Sequence, residues 1–202
     1  VNINECTYKN KFMSNTYHKY LNLPFDINPP QIFEEDGNIV KHHILDHLKY
    51  PNVDKFFNNL GLICGIKECF YTPPYGKVPI HTDHGSYTNH VKINITWGPE
   101  KGVMQWWKSD IVKEKIINGD IENTTTYHHN LWANEEDCTF LYEANTNIPS
   151  LVNVGVLHGT NNPTPYGRWT LCFVPWKVCS YKESKLITWD EAMEIFKDYI
   201  II

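Results

Sequence analysis

A mainly β domain with helices toward both ends is what the sequence predicts, on three observations. Val91, Ile93 and Ile95 alternate with Lys92, Asn94 and Thr96, the period-two pattern of a strand with one apolar face. Leu151-Val152-Asn153-Val154-Gly155-Val156 and Thr170-Leu171-Cys172-Phe173-Val174 are short β-rich runs bounded by proline, glycine and asparagine. Helical spacing is confined to the flanks. Many short strands separated by turn signals build a sandwich or a barrel, with the β core expected over about residues 66–178.

Taken in order, residues 1–65 mix turn-forming segments such as Leu23-Pro24-Phe25-Asp26-Ile27-Asn28-Pro29-Pro30 with two expected helices. The first, over 39–49, follows from Ile39, Ile44, Leu45 and Leu48; the second, over 52–60, from Val53, Phe56, Phe57 and Leu60. Pro51 is expected to separate them and Gly61 to stop the second. Residues 98–138 form a long excursion between strands, with a further strand expected at Val103–Trp107 and a role in enclosing substrate for the remainder. At the far end Thr188-Trp189-Asp190-Glu191 reads as a capping box opening an amphipathic helix. With no repeat or linker between these zones, residues 1–202 read as one domain.

Composition sets outer limits on function. The 202 residues are 42% apolar and 14% aromatic, enough for a sizeable core without disulfides. A net charge of −5 with scattered lysines and arginines argues against a nucleic-acid binder or a polybasic membrane anchor. The absence of a long apolar run and of a signal-like start leads to a cytoplasmic expectation. Cys6, Cys64, Cys69, Cys138, Cys172 and Cys179 show no C-x-x-C spacing and are expected to be reduced.

Chemistry concentrates at four residues. Strand alternation puts His81 and Asp83 on one face, where both can reach one metal ion. His158, between the strand-like run 152–157 and the turn-rich Gly159-Thr160-Asn161-Asn162-Pro163, is the best third ligand. Two imidazoles and one carboxylate form the facial triad that leaves open positions on Fe(II). Arg168 stands ten residues after His158, with Thr170 on the same strand face. A guanidinium there suits a dicarboxylate whose other end chelates the iron, and the Thr170 hydroxyl adds a hydrogen bond.

The pattern His81-x-Asp83…His158…Arg168 resembles the iron(II)- and 2-oxoglutarate-dependent oxygenase superfamily over roughly residues 69–176. Tyr71, in Phe70-Tyr71-Thr72-Pro73-Pro74-Tyr75-Gly76, is similar to the tyrosine that helps bind the oxoacid in prolyl-hydroxylase-like members. Thr88-Asn89 and the strand after it resemble the aspartyl/asparaginyl hydroxylase branch, which lacks the carboxylate ligand that Asp83 supplies here. The resemblance implies a double-stranded β-helix, a cupin-like jelly roll flanked by N- and C-terminal helices. It implies Fe(II) held by His81, Asp83 and His158, 2-oxoglutarate held by Arg168 with Thr170 and Tyr71, and dioxygen as co-substrate, with ascorbate as a candidate reductant; Asn94, on the polar face of its strand, is a further expected contact to 2-oxoglutarate or substrate. The implied activity is a dioxygenase that hydroxylates a C–H bond of an amino-acid side chain or small molecule and releases succinate and CO2.

The polar face of strand 91–96 is expected to line the ligand cavity through Asn94 and, less directly, Lys92. His84 and His90 read as loop residues, and His42, His43 and His47 as the surface of the first helix. Two other readings stand beside the dioxygenase. One is a non-catalytic cupin-like protein binding a metal or a carboxylate. The other is a zinc hydrolase suggested by His81-Thr82-Asp83-His84, although the histidine-rich prelude of that class is missing.

Overall fold

The computed structural model describes residues 16–29, 40–83, 90–121, 124–180 and 183–201, with the backbone alone described over 115–121 and 124–129. The strands in chain order are β1 (His18–Tyr20), β2 (Lys41–Ile44), β3 (Leu62–Thr72), β4 (Lys77–His81), β5 (Val91–Trp97), β6 (Val103–Lys108), β7 (Lys113–Ile121), β8 (Thr124–Trp132), β9 (Thr139–Ala144), β10 (Ser150–Asn153), β11 (His158–Asn161), β12 (Arg168–Ser180) and β13 (Glu183–Leu186). Helix α1 (Pro51–Asn59) lies between β2 and β3, and α2 (Trp189–Ile195) follows β13.

Two antiparallel sheets result. One runs β1-β10-β5-β12-β3-β2 with β13 added to β12; the other runs β7-β8-β4-β11-β6-β9. From β3 to β6 and again from β9 to β12 the chain alternates between them: β3, β5, β10 and β12 lie in the first sheet, β4, β6, β9 and β11 in the second. This interleaving of two four-stranded sheets is the double-stranded β-helix, and the mainly β class with helices flanking it is as expected. Strands nevertheless exceed the expected central zone, since β1 and β2 precede residue 66 and β13 follows residue 178.

Both faces of the first sheet are buried, for different reasons. Outward, Ile93, Ile95, Trp169, Leu171 and Phe173 join one apolar cluster with Val53, Phe56 and Phe57 of α1 and Trp189, Ala192 and Phe196 at α2. Each large apolar side chain buried there contributes about 1.5–3 kcal/mol, so the two short helices are held by packing rather than by their own propensity. Inward, Lys92, Asn94, Thr96, Arg168 and Thr170 are all buried polar residues facing the second sheet. Thr188 accepts from the Glu191 amide while the Glu191 carboxylate receives the Thr188 amide, the expected capping box.

Two expectations fail. The segment expected as a helix over 39–49 forms β2, which pairs His42 with Phe70 and His43 with Cys69. Four apolar residues over so short a span give a weak helical signal, and the unfilled edge of β3 offers a hydrogen-bonding partner that overrides it. Pro51 accordingly opens α1 at its first turn, where a missing amide costs nothing, instead of separating two helices. The run 152–157 is likewise not one strand: β10 ends at Asn153 in the first sheet, and β11 begins at His158 in the second. Residues 154–157 carry the chain across, so His158 opens a strand instead of ending one.

The long excursion 98–138 contains the expected strand as β6, and then the β7–β8 hairpin, whose second strand pairs with β4 through Trp132 and His81. Trp106 is fully buried, as a packing residue should be. Cys64, Cys69, Cys138, Cys172 and Cys179 are free thiols, and Cys6, His84 and Thr88-Asn89 lie outside the described residues. No helix among the described residues is long and apolar enough to cross a membrane.

Candidate metal centre

The crossing at residue 154 builds the site. His81 closes β4 and His158 opens β11, and the two are direct partners in the antiparallel register, with ring centroids 4.7 Å apart. Beyond β4, the Thr82 amide donates to the Leu131 carbonyl at 2.9 Å and the Asp83 amide to the Val154 carbonyl at 3.0 Å. The backbone of Asp83 is thereby pinned between the hairpin and the crossing. His81, Asp83 and His158 each present a ligand atom, all within 4.8 Å of one another.

The hydrogen bonds fix how those atoms are presented. His81 Nδ1 donates to the Pro79 carbonyl at 2.7 Å, and His158 Nδ1 donates to the Val156 carbonyl at 2.9 Å. A carbonyl can only accept, so each ring carries a proton on Nδ1 and, as the neutral imidazole, turns a bare Nε2 inward. Asp83 Oδ1 lies 3.1 Å from Nε2 of His81 and 3.4 Å from Nε2 of His158. Three lone pairs therefore converge on one small region, an arrangement that a cation relieves. Ring nitrogens oriented through backbone carbonyls are also the usual support of metal-bound histidine.

Electrostatics agree with that assignment. Burial pushes the His158 pKa down, keeping the ring neutral and available at pH 7. Burial works against ionised Asp83, yet the Lys92 ammonium beside it outweighs that cost and holds the carboxyl well below its ordinary range. Lys92 Nζ lies 2.6 Å from Asp83 Oδ2 and 2.9 Å from Glu68 Oε2. His42 Nε2 reaches Glu68 at 3.5 Å from the sheet edge.

The same cavity holds Arg168. It offers an empty space of about 550 Å³ including its mouth, lined among others by His81, Asp83, His158, Asn94, Arg168 and Thr170. The guanidinium is 1% exposed, and burial lowers its pKa to about 10, so it stays charged at neutral pH. Its Nη2 donates to the hydroxyls of Thr96 at 3.3 Å and Thr146 at 3.4 Å, and Thr96 in turn meets Thr170 at 2.9 Å. Its Nε and Nη1 have no hydrogen-bond partner, and no carboxylate pairs with it among the described residues. A charged, desolvated guanidinium with two unpartnered nitrogens is a receptor for an anion. Gly98 and Gly102 form its cradle, because a Cβ on Gly98 would stand 2.8 Å from Arg168 Cβ and one on Gly102 2.8 Å from its Cδ.

Six of the seven residues singled out in the sequence thus meet in one cavity: His81, Asp83, His158, Arg168, Thr170 and Asn94. Tyr71 does not. It is 3% exposed in the outer apolar cluster, its ring 4.7 Å from that of Trp169. On β3 the cavity receives Phe70 and Thr72, so strict alternation turns Tyr71 toward the helices. The oxoacid contact expected of Tyr71 is corrected on that ground.

Sequence reasoning missed Glu68 and Thr146, and it weighed Lys92 only as a ligand contact. The signal for Glu68 was available, since it shares parity with Phe70 and Thr72 on β3. Thr146 sits in the connection between β9 and β10, where no periodicity marks it.

A double-stranded β-helix with a two-histidine, one-aspartate cluster beside a buried arginine is the class that fold and cavity define. No family model and no curated protein matches the chain. Solved structures overlap it at low identity. EvdMO1 matches at 13% identity and a TM-score of 0.36, over 65% of this chain and 31% of that one. The nickel complex of the non-heme monooxygenase ThoJ matches at 14% and 0.32, over 69% and 57%. A structure of oxalate oxidase matches at 13% and 0.29, over 77% and 72%. The chain thus spans about a third of the first of these proteins and just over half of the second.

Proposed function

We propose that the protein is an Fe(II)- and 2-oxoglutarate-dependent dioxygenase that hydroxylates a C–H bond of an amino-acid side chain or small molecule. The observation that carries this reading is the pairing, in one cavity, of the His81–Asp83–His158 cluster with an Arg168 that has two guanidinium nitrogens unspent. A cluster of three ligands leaves an ion with positions for exogenous ligands, and the guanidinium supplies the counter-charge for a diacid that occupies two of them.

With both bound, the group would supply the coupled reaction in which 2-oxoglutarate, dioxygen and R–H become succinate, CO2 and R–OH. The chain's own residues set its conditions. His81 and His158 turn Nε2 toward the cluster because the Pro79 and Val156 carbonyls engage Nδ1 on the far side of each ring. Arg168, steadied by Thr96 and Thr146, would take the distal carboxylate, with Thr170 and the unpaired Asn94 Oδ1 on the same cavity wall. Burial of these groups keeps competing water from the charged contacts and raises their strength.

The test is formation of succinate from 2-oxoglutarate by purified protein in air. Turnover that requires added Fe(II), and that falls to background in His158→Ala, is the expected result. Binding of metal and keto acid without succinate formation, across a panel of amino-acid, peptide and small-metabolite substrates, would favour a non-catalytic cupin-like binding protein instead.

A further inference from the structure

The two oxygens of Asp83 face different partners. Oδ1 lies toward the bare ring nitrogens of His81 and His158, at 3.1 Å and 3.4 Å. Oδ2 is taken by Lys92, whose Nζ stands 2.6 Å away. A second N–H of Lys92 reaches Glu68 Oε2 at 2.9 Å, and the Phe70 ring lies against the ammonium with its centroid 5.5 Å distant. Lys92 and Glu68 are 5% and 8% exposed.

Burying a lysine between two carboxylates costs desolvation energy that apolar residues of similar size would avoid. The fold nevertheless builds this arrangement from the backbone outward. Glu68 of β3 and Asn94 of β5 both register with Cys172 of β12, and Lys92 lies two residues from Asn94 on the same face, so Glu68 and Lys92 approach from either side of β12 on its cavity face. Three side chains from two strands and the end of a third element are thus locked in one geometry. The outcome of that geometry is a carboxylate with one oxygen spoken for.

A carboxylate beside a divalent ion can bind through one oxygen or through both, so an unrestrained Oδ2 is free to take a second position. We propose that Lys92, anchored by Glu68, is a positioning residue that keeps Asp83 Oδ2 off a bound ion, so that Asp83 ligates through Oδ1 alone and one more position stays open to exogenous ligands. This rests on the reading of His81, Asp83 and His158 as a metal centre. The charge-assisted bond from Lys92 is the restraint, and the second bond to Glu68 keeps the flexible lysine stem from swinging away.

The experiment counts exchangeable water molecules on bound Mn(II) by water-proton relaxation, with folding checked by circular dichroism and thermal melting. It compares the wild type with Glu68→Gln, Lys92→Met and the double variant Lys92→Met/Glu68→Gln. The double variant removes both members of the Lys92–Glu68 pair, so no carboxylate is stranded at position 68 if Lys92→Met alone fails to fold. Lys92→Met and the double variant are expected to carry one water fewer than the wild type at saturating Mn(II), because Oδ2 takes its place. Glu68→Gln, whose amide oxygen can still accept from Lys92 and hold it on Asp83, is expected to keep the wild-type number. An unchanged water count in the folded variants lacking Lys92 overturns the positioning role while leaving the metal centre standing. Failure of the wild type to bind Mn(II) overturns the metal centre and this inference with it.

Discussion

Arg168 concentrates the electrostatic cost of the site in one side chain. A guanidinium that is 1% exposed, with Nε and Nη1 unpartnered, forfeits hydrogen bonds that water would have supplied, and a bound carboxylate returns them. Replacing it with glutamine keeps much of the shape and removes the charge. Arg168→Gln is expected to weaken 2-oxoglutarate binding by roughly 2–4 kcal/mol, or about 30- to 900-fold, while Fe(II) affinity stays near the wild-type value. Isothermal titration of each ligand separates the two. Gly102→Ala tests the same contact without touching the charge, since the added methyl would press on Arg168 Cδ at 2.8 Å. It is expected to lower keto-acid affinity with unchanged metal binding; equal affinity for the keto acid would show that the guanidinium does not need its observed place.

Among the elements, β1 carries a pH dependence of its own. His18 is 2% exposed, pairs with Val152 of β10 and sits 3.1 Å from the Ser150 hydroxyl. Burial, with a smaller push from Lys19, lowers its pKa from 6.5 to about 4. The unfolded chain therefore binds this proton more readily than the folded one. The stability that neutral His18 provides is complete above about pH 6.5 and is lost as pH falls from there to 4, by up to about 3 kcal/mol. In urea unfolding at pH 7.0 and 4.5, His18→Gln should lose markedly less stability over that interval than the wild type; parallel losses would refute the assignment.

Elements also show where sequence was legible. β5 and β12 were readable because each has one face against the helices and one in the cavity, so apolar and polar residues alternate. The same parity rule, applied to β3, places Tyr71 outside the cavity and Glu68 inside it; the sequence motif around Tyr71 had pointed the other way. β2 was illegible because an edge strand is made by the partner it finds, Tyr71 through Glu68 of β3, and not by its own periodicity. The break between β10 and β11 was hidden for a related reason. Val154, Gly155 and Val156 look like strand, and only the position of the second sheet decides that the chain leaves at Asn153.

At the scale of the whole molecule, function follows from interleaving two sheets. His81 and His158 belong to neighbouring strands of one sheet, Arg168 and Lys92 to the other, and the cavity is the space that both inner faces share. The spacing His81-x-Asp83…His158…Arg168 could be read as a constellation before any coordinates, because the two-residue step from His81 to Asp83 follows strand alternation and Arg168 stands only ten residues after His158. The counter-charge network through Lys92 and Glu68 could not, because it depends on which strands of the first sheet are adjacent. That adjacency is a property of the closed fold.

The central claim is that one ion and one keto acid share this cavity, and an anaerobic titration tests it most directly. Adding 2-oxoglutarate to the Fe(II)-loaded protein without oxygen should produce a visible absorption band that saturates at one equivalent of each, is lost in His158→Ala, and bleaches on admission of air with substrate. A wild-type protein that shows no band at saturating Fe(II) and 2-oxoglutarate would contradict the account.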